Sequence, residues 1–128
     1  MNCPVCKTAM ITMELNEVEI DYCTTCYGIW LDAGELELLL GDASRTKELI
    51  SSFDKSSSAE LPRKCPICLK RMEKITVGHS KPEILLDRCS RGDGLWFDRG
   101  ELNTVIDKAN LDKDNKIKRL LADMFGKK

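Results

Sequence analysis

The feature that most constrains this 128-residue chain is a cysteine-containing stretch that occurs twice. The first copy reads C-T-T-C-Y-G-I-W-L-D-A-G-E-L over residues 23–36, and the second reads C-S-R-G-D-G-L-W-F-D-R-G-E-L over residues 89–102. Matched positions lie 66 residues apart, and a C-P-x-C pair precedes each copy, at residues 3–6 and 65–68. The repetition therefore predicts two small units of the same fold.

The cysteines of the first unit have the spacing of a structural metal site. They form the pattern C-x2-C-x16-C-x2-C, which lies within the range of zinc ribbons. Four thiolates fill the tetrahedron that zinc prefers and leave no open position, so the binding energy of the ion becomes folding energy, on the order of 10–16 kcal/mol. The predicted zinc ligands of the first site are Cys3, Cys6, Cys23 and Cys26.

The second unit lacks one of these cysteines. Cys65, Cys68 and Cys89 repeat the pattern, but Gly92 stands where the fourth cysteine would be. We predict that the carboxylate of Asp93 completes a second zinc site, because carboxylates are accepted zinc ligands. Three alternatives are an approach of His79 from the hairpin, a water or exogenous ligand, and a site without a stably bound metal.

A zinc ion with three protein ligands and a water molecule has the geometry of a catalytic site. The sequence offers no general base at a fixed spacing from the three cysteines of the second unit. We therefore expect that the chain is not an enzyme. A zinc enzyme or a metal carrier that uses the second site is the least favoured of the functional hypotheses.

The small size of each unit suggests that it needs a bound metal ion to fold. Units of about 40 residues rarely bury enough apolar surface to fold alone. The start of the chain lacks the basic segment and apolar run of a secretion signal, so we expect a reducing, cytoplasmic location and zinc rather than disulfides. No window approaches 18 continuous apolar residues, so no membrane span is expected.

Four segments follow from these patterns. We predict a first zinc ribbon with a C-terminal helix over residues 1–42, and a helix and linker over residues 43–62. A second zinc ribbon with a C-terminal helix follows over residues 63–110, and an amphipathic helical tail over residues 111–128. Within the first ribbon, alternation predicts short strands over residues 10–13 and 18–22.

Helix signals end both copies of the repeat. Asp32 and Asp98 are predicted N-caps, and a glutamate three residues later completes a capping box. The first helix is expected over residues 33–40, with Gly41 after its end. Residues 42–54 predict another helix that would place Leu49, Ile50 and Phe53 on one face. The predicted tail carries apolar residues at helical spacing that would pack on the second unit or between the units: Ile117, Leu120, Leu121, Met124 and Phe125.

Two further repeated residue types invite a structural interpretation. Trp30 and Trp96 are predicted to cover the zinc turns as core residues, and an exposed base-stacking platform is the alternative. Gly34 and Gly100 lie in the first helical turn, where glycine is unfavourable. We expect the close approach of another backbone or side chain at these two glycines.

Charge is unevenly distributed along the chain. Residues 1–42 carry a net charge of −7, and residues 43–128 carry +6. The acidic first half argues against phosphate contacts there, whereas the basic remainder offers candidates for nucleic-acid contact unless these charges are simply solvated. These candidates are Arg63, Lys64, Lys70, Arg71 and Lys74.

The full pattern, C-P-x-C followed by C-x-x-C-x-G-h-W-h-D-x-G-E-L with h apolar, resembles the transcription factor IIB-like zinc finger family of small zinc-ribbon proteins. Residues 3–40 match it completely, and residues 65–106 match it except at Gly92. The resemblance implies two tandem zinc ribbons of the α+β class, with short antiparallel β-hairpins or three-stranded sheets, a capped helix in each and two Zn²⁺ ions. A variant of the family pattern, C-x-x-G-D/H-G-L-W-F-D, also supports Asp93 as a ligand.

These features favour a non-catalytic zinc-binding module. The acidic first ribbon and the amphipathic tails favour a protein–protein adapter in a regulatory or transcription-related setting. Direct nucleic-acid binding by a transcription-factor-like zinc ribbon is the alternative. No membrane partner is expected, and no small-molecule substrate is evident from the sequence.

Overall fold

The computed structural model describes residues 1–56, 63–77, 84–109 and 116–125. These ranges form a small α+β protein of antiparallel strands and short helices, which confirms the predicted fold class. The elements in chain order are β1 (Ile11–Leu15), β2 (Val18–Tyr22), β3 (Ile29–Asp32), α1 (Glu35–Leu40), α2 (Ala43–Ser51), β4 (Phe53–Lys55), β5 (Glu73–Val77), β6 (Leu85–Arg88), β7 (Gly94–Phe97), α3 (Glu101–Ala109) and α4 (Lys116–Phe125).

Parts of the predictions fall outside these ranges. The linker over residues 57–62, the hairpin tip with His79 and the start of the predicted tail over residues 111–115 lie outside the described residues. Among the helices that the structure describes, none is both long and apolar enough to cross a lipid bilayer.

The described strands form one antiparallel sheet in the order β1-β2-β3-β7-β6-β5-β4. The two ribbons join where β3 pairs with β7, with Trp30 opposite Trp96 and Leu31 opposite Leu95. Since the two tryptophans are equivalent residues of the repeat, this register relates the units by a local two-fold axis at the tryptophan pair. The sequence predicted a separate hairpin or small sheet in each unit. The continuous sheet was not anticipated, because a strand pairing across the two units carries no turn or spacing signal.

Each face of the sheet buries its own cluster, because successive side chains of a strand point to opposite faces. Ile29 and Leu31 of β3 and Leu95 and Phe97 of β7 belong to a large aliphatic core with buried residues of the helices. Trp30 and its counterpart belong instead to a second cluster with the cysteines. The tryptophan face of the sheet therefore carries the candidate metal centres.

The first helix begins differently from the prediction. Its N-cap is Gly34 rather than Asp32, and Gly34 makes no side-chain cap. The glutamate half of the capping box is confirmed, because the Asp32 N–H donates to Glu35 Oε1 at 2.6 Å and the Asp98 N–H donates to Glu101 Oε1 at 2.8 Å. Each aspartate therefore lies three residues before its helix, and its carboxylate has another partner.

The two glycines of the D-x-G-E signature have a backbone role. Gly34 has φ +90° and Gly100 has φ +80°, and a Cβ added at either position would meet no atom within 4 Å. The predicted close approach of a neighbour is therefore wrong. Glycine is favoured here because the left-handed region costs little only for a residue without a side chain.

The helical tails connect the two units. Asp42 caps α2 by accepting the Arg45 N–H at 3.0 Å, but the helix ends at Ser51 rather than near residue 54. Phe53 therefore does not extend the helical face; it begins β4 and pairs opposite Val77 of the second unit. In the other direction, α4 packs against α3 and β1, and Leu121 is buried in the aliphatic core. Each unit thus contributes its tail to the other, and the predicted tail packs between the units.

Candidate metal centres

Two groups of potential ligands each bring four donor atoms within 4.8 Å of one another. In each group two residues are buried and two are half-buried. Three or four thiols in such a group form the donor set that zinc prefers, and all seven cysteines are free thiols. The two groups, which fit two zinc ions, are Cys3, Cys6, Cys23 and Cys26, and Cys65, Cys68, Cys89 and Asp93.

Distances in the first centre agree with tetrahedral coordination. Cys3 Sγ lies 3.7 Å from Cys26 Sγ. A tetrahedron with zinc–sulfur bonds of about 2.3 Å has an edge of about 3.8 Å, so the two sulfurs are at the spacing that the ion requires. The N–H groups of Val5 and Cys6 donate to Cys3 Sγ at 3.3 and 3.2 Å. Backbone donors of the turn thus point at the sulfur and stabilise its anionic form.

The environment of Cys23 favours the thiolate. Burial raises the pKa of this thiol, but the N–H groups of Cys26 and Thr25 and the hydroxyl of Thr8 outweigh burial and lower the pKa to about 6. Burial raises the pKa of Cys26, and the neighbouring thiols of Cys23 and Cys3 raise it further. Zinc binding must therefore release protons, since only thiolates are ligands.

In the second centre a carboxylate stands beside three thiols. Asp93 Oδ2 lies 3.3 Å from Cys89 Sγ and 3.5 Å from Cys65 Sγ, and Cys68 Sγ lies 3.7 Å from Cys89 Sγ. The thiol of Cys89 donates a hydrogen bond to Asp93 and lowers the pKa of that carboxyl, so the side chain is an anion that can bind a metal. The structure thus brings Asp93 to the place of a fourth ligand, whereas the alternative His79 lies outside the described residues.

A shift in the backbone turn explains how Asp93 reaches the site. In the first unit Tyr27 has φ +62°, and its N–H donates to the Cys23 carbonyl at 2.9 Å. In the second unit the left-handed residue is Gly92, with φ +82°, and its N–H donates to the Cys89 carbonyl at 3.0 Å. The chain turns one residue earlier, which moves the ligand position from the site of Gly92 to Asp93. The substitution of glycine for cysteine was the sequence signal for this shift.

Both tryptophans are fully buried between the two centres, so the alternative of an exposed stacking platform is wrong. Trp30 Nε1–H donates to Asp32 Oδ1 at 2.7 Å, and Trp96 Nε1–H donates to Asp98 Oδ1 at 3.0 Å. These bonds use the carboxylates that the sequence had placed at the helix N-caps. A buried indole N–H needs such an acceptor, so each aspartate fixes the orientation of its tryptophan.

Each tryptophan packs on a glycine of the other unit. A Cβ added at Gly28 would lie 2.1 Å from Cζ2 of Trp96, and a Cβ added at Gly94 would lie 2.8 Å from Cζ2 of Trp30. The repeated G-x-W spacing is therefore an interface motif between the ribbons. Sequence reasoning missed this role, although the glycine two residues before each tryptophan was visible in both copies.

Two of the five basic candidates are engaged by carboxylates. Lys74 Nζ lies 2.7 Å from Asp87 Oδ1, and both side chains are buried. Arg63 Nη1 forms an ion pair with Asp98 and lies 3.6 Å from Asp87 Oδ2. Ion pairing neutralises these two charges locally, which weakens the case for them as phosphate contacts.

The other three basic candidates, Lys64, Lys70 and Arg71, are exposed. They lie in residues 64–71, which carry the first two cysteine ligands of the second unit and are called its first zinc turn. That turn also exposes two apolar side chains, with Ile67 at 47% and Leu69 at 68% exposure. Val5 is exposed to 39% at the equivalent turn of the first unit. The turns that carry the ligands thus present apolar side chains to solvent.

Comparison with known proteins agrees with the geometry. A family model described as a transcription factor zinc-finger matches residues 2–42 and again residues 64–108. The two matches cover about two thirds of the chain and coincide with the two repeats, which confirms the resemblance and the tandem arrangement. No curated protein and no solved structure matched the chain.

Proposed function

We propose that this chain, which belongs to the transcription factor zinc-finger family, is a non-catalytic zinc-binding module that serves as a protein–protein adapter. We place it in a regulatory or transcription-related setting and, because its seven free thiols need reducing conditions, in the cytoplasm. Asp93 is the fourth ligand of the second zinc in this proposal. The two ribbons act together, because one sheet joins them.

The observation that carries the proposal is the exposure of Val5, Ile67 and Leu69 on the zinc turns. Bound zinc would hold these turns in place, so the backbone there loses little conformational entropy when a partner covers the apolar side chains. Apolar side chains of this kind fit the fully buried core of a protein–protein interface, which is more apolar than the rest of the protein surface. Burial of such side chains by a partner stabilises a complex by the hydrophobic effect.

Direct nucleic-acid binding is the second candidate, supported by the exposed cations Lys64, Lys70 and Arg71. Two observations favour the adapter over it. The tryptophans that would stack on bases are fully buried, and Arg63 and Lys74 have carboxylate partners. A nucleic-acid site would therefore depend on three cations without an aromatic platform.

The donor set of the second centre supports the absence of catalysis in this proposal. Three thiols and the Asp93 carboxylate supply four ligands, which fill the tetrahedral shell that zinc adopts in structural sites. A zinc-bound water, which a hydrolytic enzyme would need, has no remaining position in such a shell.

Site-specific photocrosslinking of the zinc-loaded full chain tests the adapter proposal. A photoreactive residue replaces Val5 or Ile67, and a matched control carries it at Glu14, an exposed residue of edge strand β1. We expect discrete protein crosslinks from both turns and far fewer from the control. Crosslinks to RNA or DNA in place of protein, with binding that weakens steeply as salt rises from about 50 mM, would favour the second candidate.

A further inference from the structure

We propose that the tip of the second ribbon docks an acidic protein segment that also carries aliphatic or aromatic side chains. This inference rests on the proposed adapter function and names the chemistry of the partner. The second tip is defined as the exposed residues of the first zinc turn in the second unit: Lys64, Ile67, Leu69, Lys70 and Arg71.

The apolar part of the second tip is costly for the folded chain alone. Leu69 exposes 68% of its surface and has φ +63°, a left-handed conformation that is unfavourable for a branched residue. Its N–H donates to the Cys65 carbonyl at 2.9 Å, so the zinc turn holds this backbone in place. The equivalent residue of the first unit, Lys7, has φ +67°, so the turn sets this backbone conformation in both units. What distinguishes Leu69 is its exposed apolar side chain, which points to contact with another molecule.

The basic part lies beside these apolar side chains. Lys64 and Arg71 form an antiparallel bridge, so they lie opposite each other at the base of the turn, and the Lys70 carbonyl accepts the Cys65 N–H at 2.8 Å. Among the described residues, no carboxylate forms an ion pair with any of these three cations. By charge complementarity, a partner rich in aspartate or glutamate fits this surface.

The first ribbon shows that the fold does not require these residues. It forms the same turn, with an antiparallel bridge at its base, a bond from the Cys3 N–H to the Thr8 carbonyl at 2.8 Å and one from the Lys7 N–H to the Cys3 carbonyl at 3.0 Å. Its residues at the five positions are mostly neutral and less apolar: Asn2, Val5, Lys7, Thr8 and Ala9. The cations and the leucine of the second tip are therefore additions to a common scaffold.

The combination favours a protein segment over a nucleic acid. Phosphate contacts would use the three cations, but an exposed isoleucine and leucine offer neither hydrogen bonds nor an aromatic surface to bases. An acidic segment with aliphatic or aromatic side chains satisfies both parts at once. Its apolar side chains cover Ile67 and Leu69, and its carboxylates face the surrounding cations.

Selection of peptides from a random 12-residue display library by the zinc-loaded full chain tests this inference. We expect enriched peptides that combine acidic with aliphatic or aromatic residues, and loss of their binding as salt rises. Lys70→Glu with Arg71→Glu should weaken an enriched peptide about tenfold, since two attractive contacts become repulsive. The matched control, Asn2→Glu with Ala9→Glu at exposed positions at the base of the equivalent turn of the first ribbon, should change its affinity less than twofold.

Several outcomes overturn the inference. They are enrichment of basic or uncharged peptides, no enrichment, equal effects of the two double variants, or selective binding of a single-stranded oligonucleotide that the second-tip variant abolishes. Self-association of the chain through the second tip, detected by sedimentation, also overturns it. If the crosslinking experiment yields protein partners while this selection fails, the adapter function stands and the acidic partner does not; if neither yields a protein contact, both fail.

Discussion

Replacing Gly28 by alanine is the most direct perturbation of the contact between the ribbons. The added Cβ would lie 2.1 Å from Cζ2 and 2.5 Å from Cη2 of Trp96. Carbon atoms pack at about 3.5–4.0 Å, so the indole would have to move by more than 1 Å. Trp96 is fully buried and its Nε1–H donates to Asp98 at 3.0 Å, so the indole cannot shift without disturbing its neighbours or this hydrogen bond.

The cost follows from this geometry. Overpacking of a well-packed core costs about 1–3 kcal/mol, and the size of the overlap places Gly28→Ala at the upper end of that range. About 3 kcal/mol is a large part of the stability of a small domain. The added methyl group belongs to the first ribbon and the displaced indole to the second, so the substitution should also loosen the second zinc centre.

The assay is urea unfolding of the zinc-loaded chain with a parallel measurement of zinc release to a chromogenic chelator. We expect Gly28→Ala to lower the free energy of unfolding by about 2–3 kcal/mol and to speed zinc release from both centres. The control is Gly41→Ala. An added Cβ there meets no atom within 4 Å, so only the cost of its left-handed backbone, about 1 kcal/mol, remains.

The reasoning about the interface would be refuted if Gly28→Ala were no more destabilising than Gly41→Ala. It would also be refuted if Gly28→Ala released zinc faster from the first centre alone. Either result would mean that Trp96 does not pack on Gly28 in the folded chain.

Three further predictions concern single residues. Asp93→Ala should lower the zinc stoichiometry from two towards one under chelator competition, whereas Asp93→Cys should retain two; equal retention by the alanine variant would contradict Asp93 as a ligand. Burial raises the pKa of Glu35, so this side chain binds more protons in the folded than in the unfolded chain, and its contribution to stability should fall as pH rises from about 4.5 through the raised pKa. Glu35→Gln should remove that fall, as compared by urea midpoints at several pH values; an identical pH profile would argue against it. Leu69→Gly should leave stability unchanged or raise it by up to about 1 kcal/mol because it relieves the positive φ, and a clear loss in thermal unfolding would show that Leu69 supports the fold.

Local patterns predicted much of this molecule. Cysteine spacing predicted the two groups that lie together, since a zinc ligand set has fixed reach and donor chemistry. Alternation predicted β2, and the D-x-G-E signature predicted a nearby helix, including the hydrogen bond that the Asp32 N–H donates to Glu35 Oε1. The family match covers both copies of the pattern, as the resemblance led us to expect.

The long-range features could not be read in this way. β3 pairs with β7 so that Trp30 lies opposite the equivalent Trp96 across a local two-fold axis. Neither segment contains a local sequence pattern that predicts this pairing. Phe53 lies in β4 opposite Val77 of the second unit, where it is buried, and this pairing across the units has no local sequence signal. The sequence pattern placed Asp32 at the helix N-cap, but its carboxylate accepts the indole N–H of Trp30 instead. The local pattern could not predict this partner, because it depends on burial of the indole in the folded chain.

We expect seven thiols and one carboxylate to hold two zinc ions in the two joined ribbons. Zinc X-ray absorption of the full chain, with the metal content determined on the same sample, tests this expectation most directly. The expected result is two zinc ions per chain, a sulfur shell at about 2.3 Å that averages between three and four atoms per zinc, and an oxygen contribution near 2.0–2.2 Å that Asp93→Cys removes. One zinc per chain, or a shell in which nitrogen or water oxygen persists in Asp93→Cys, would contradict it.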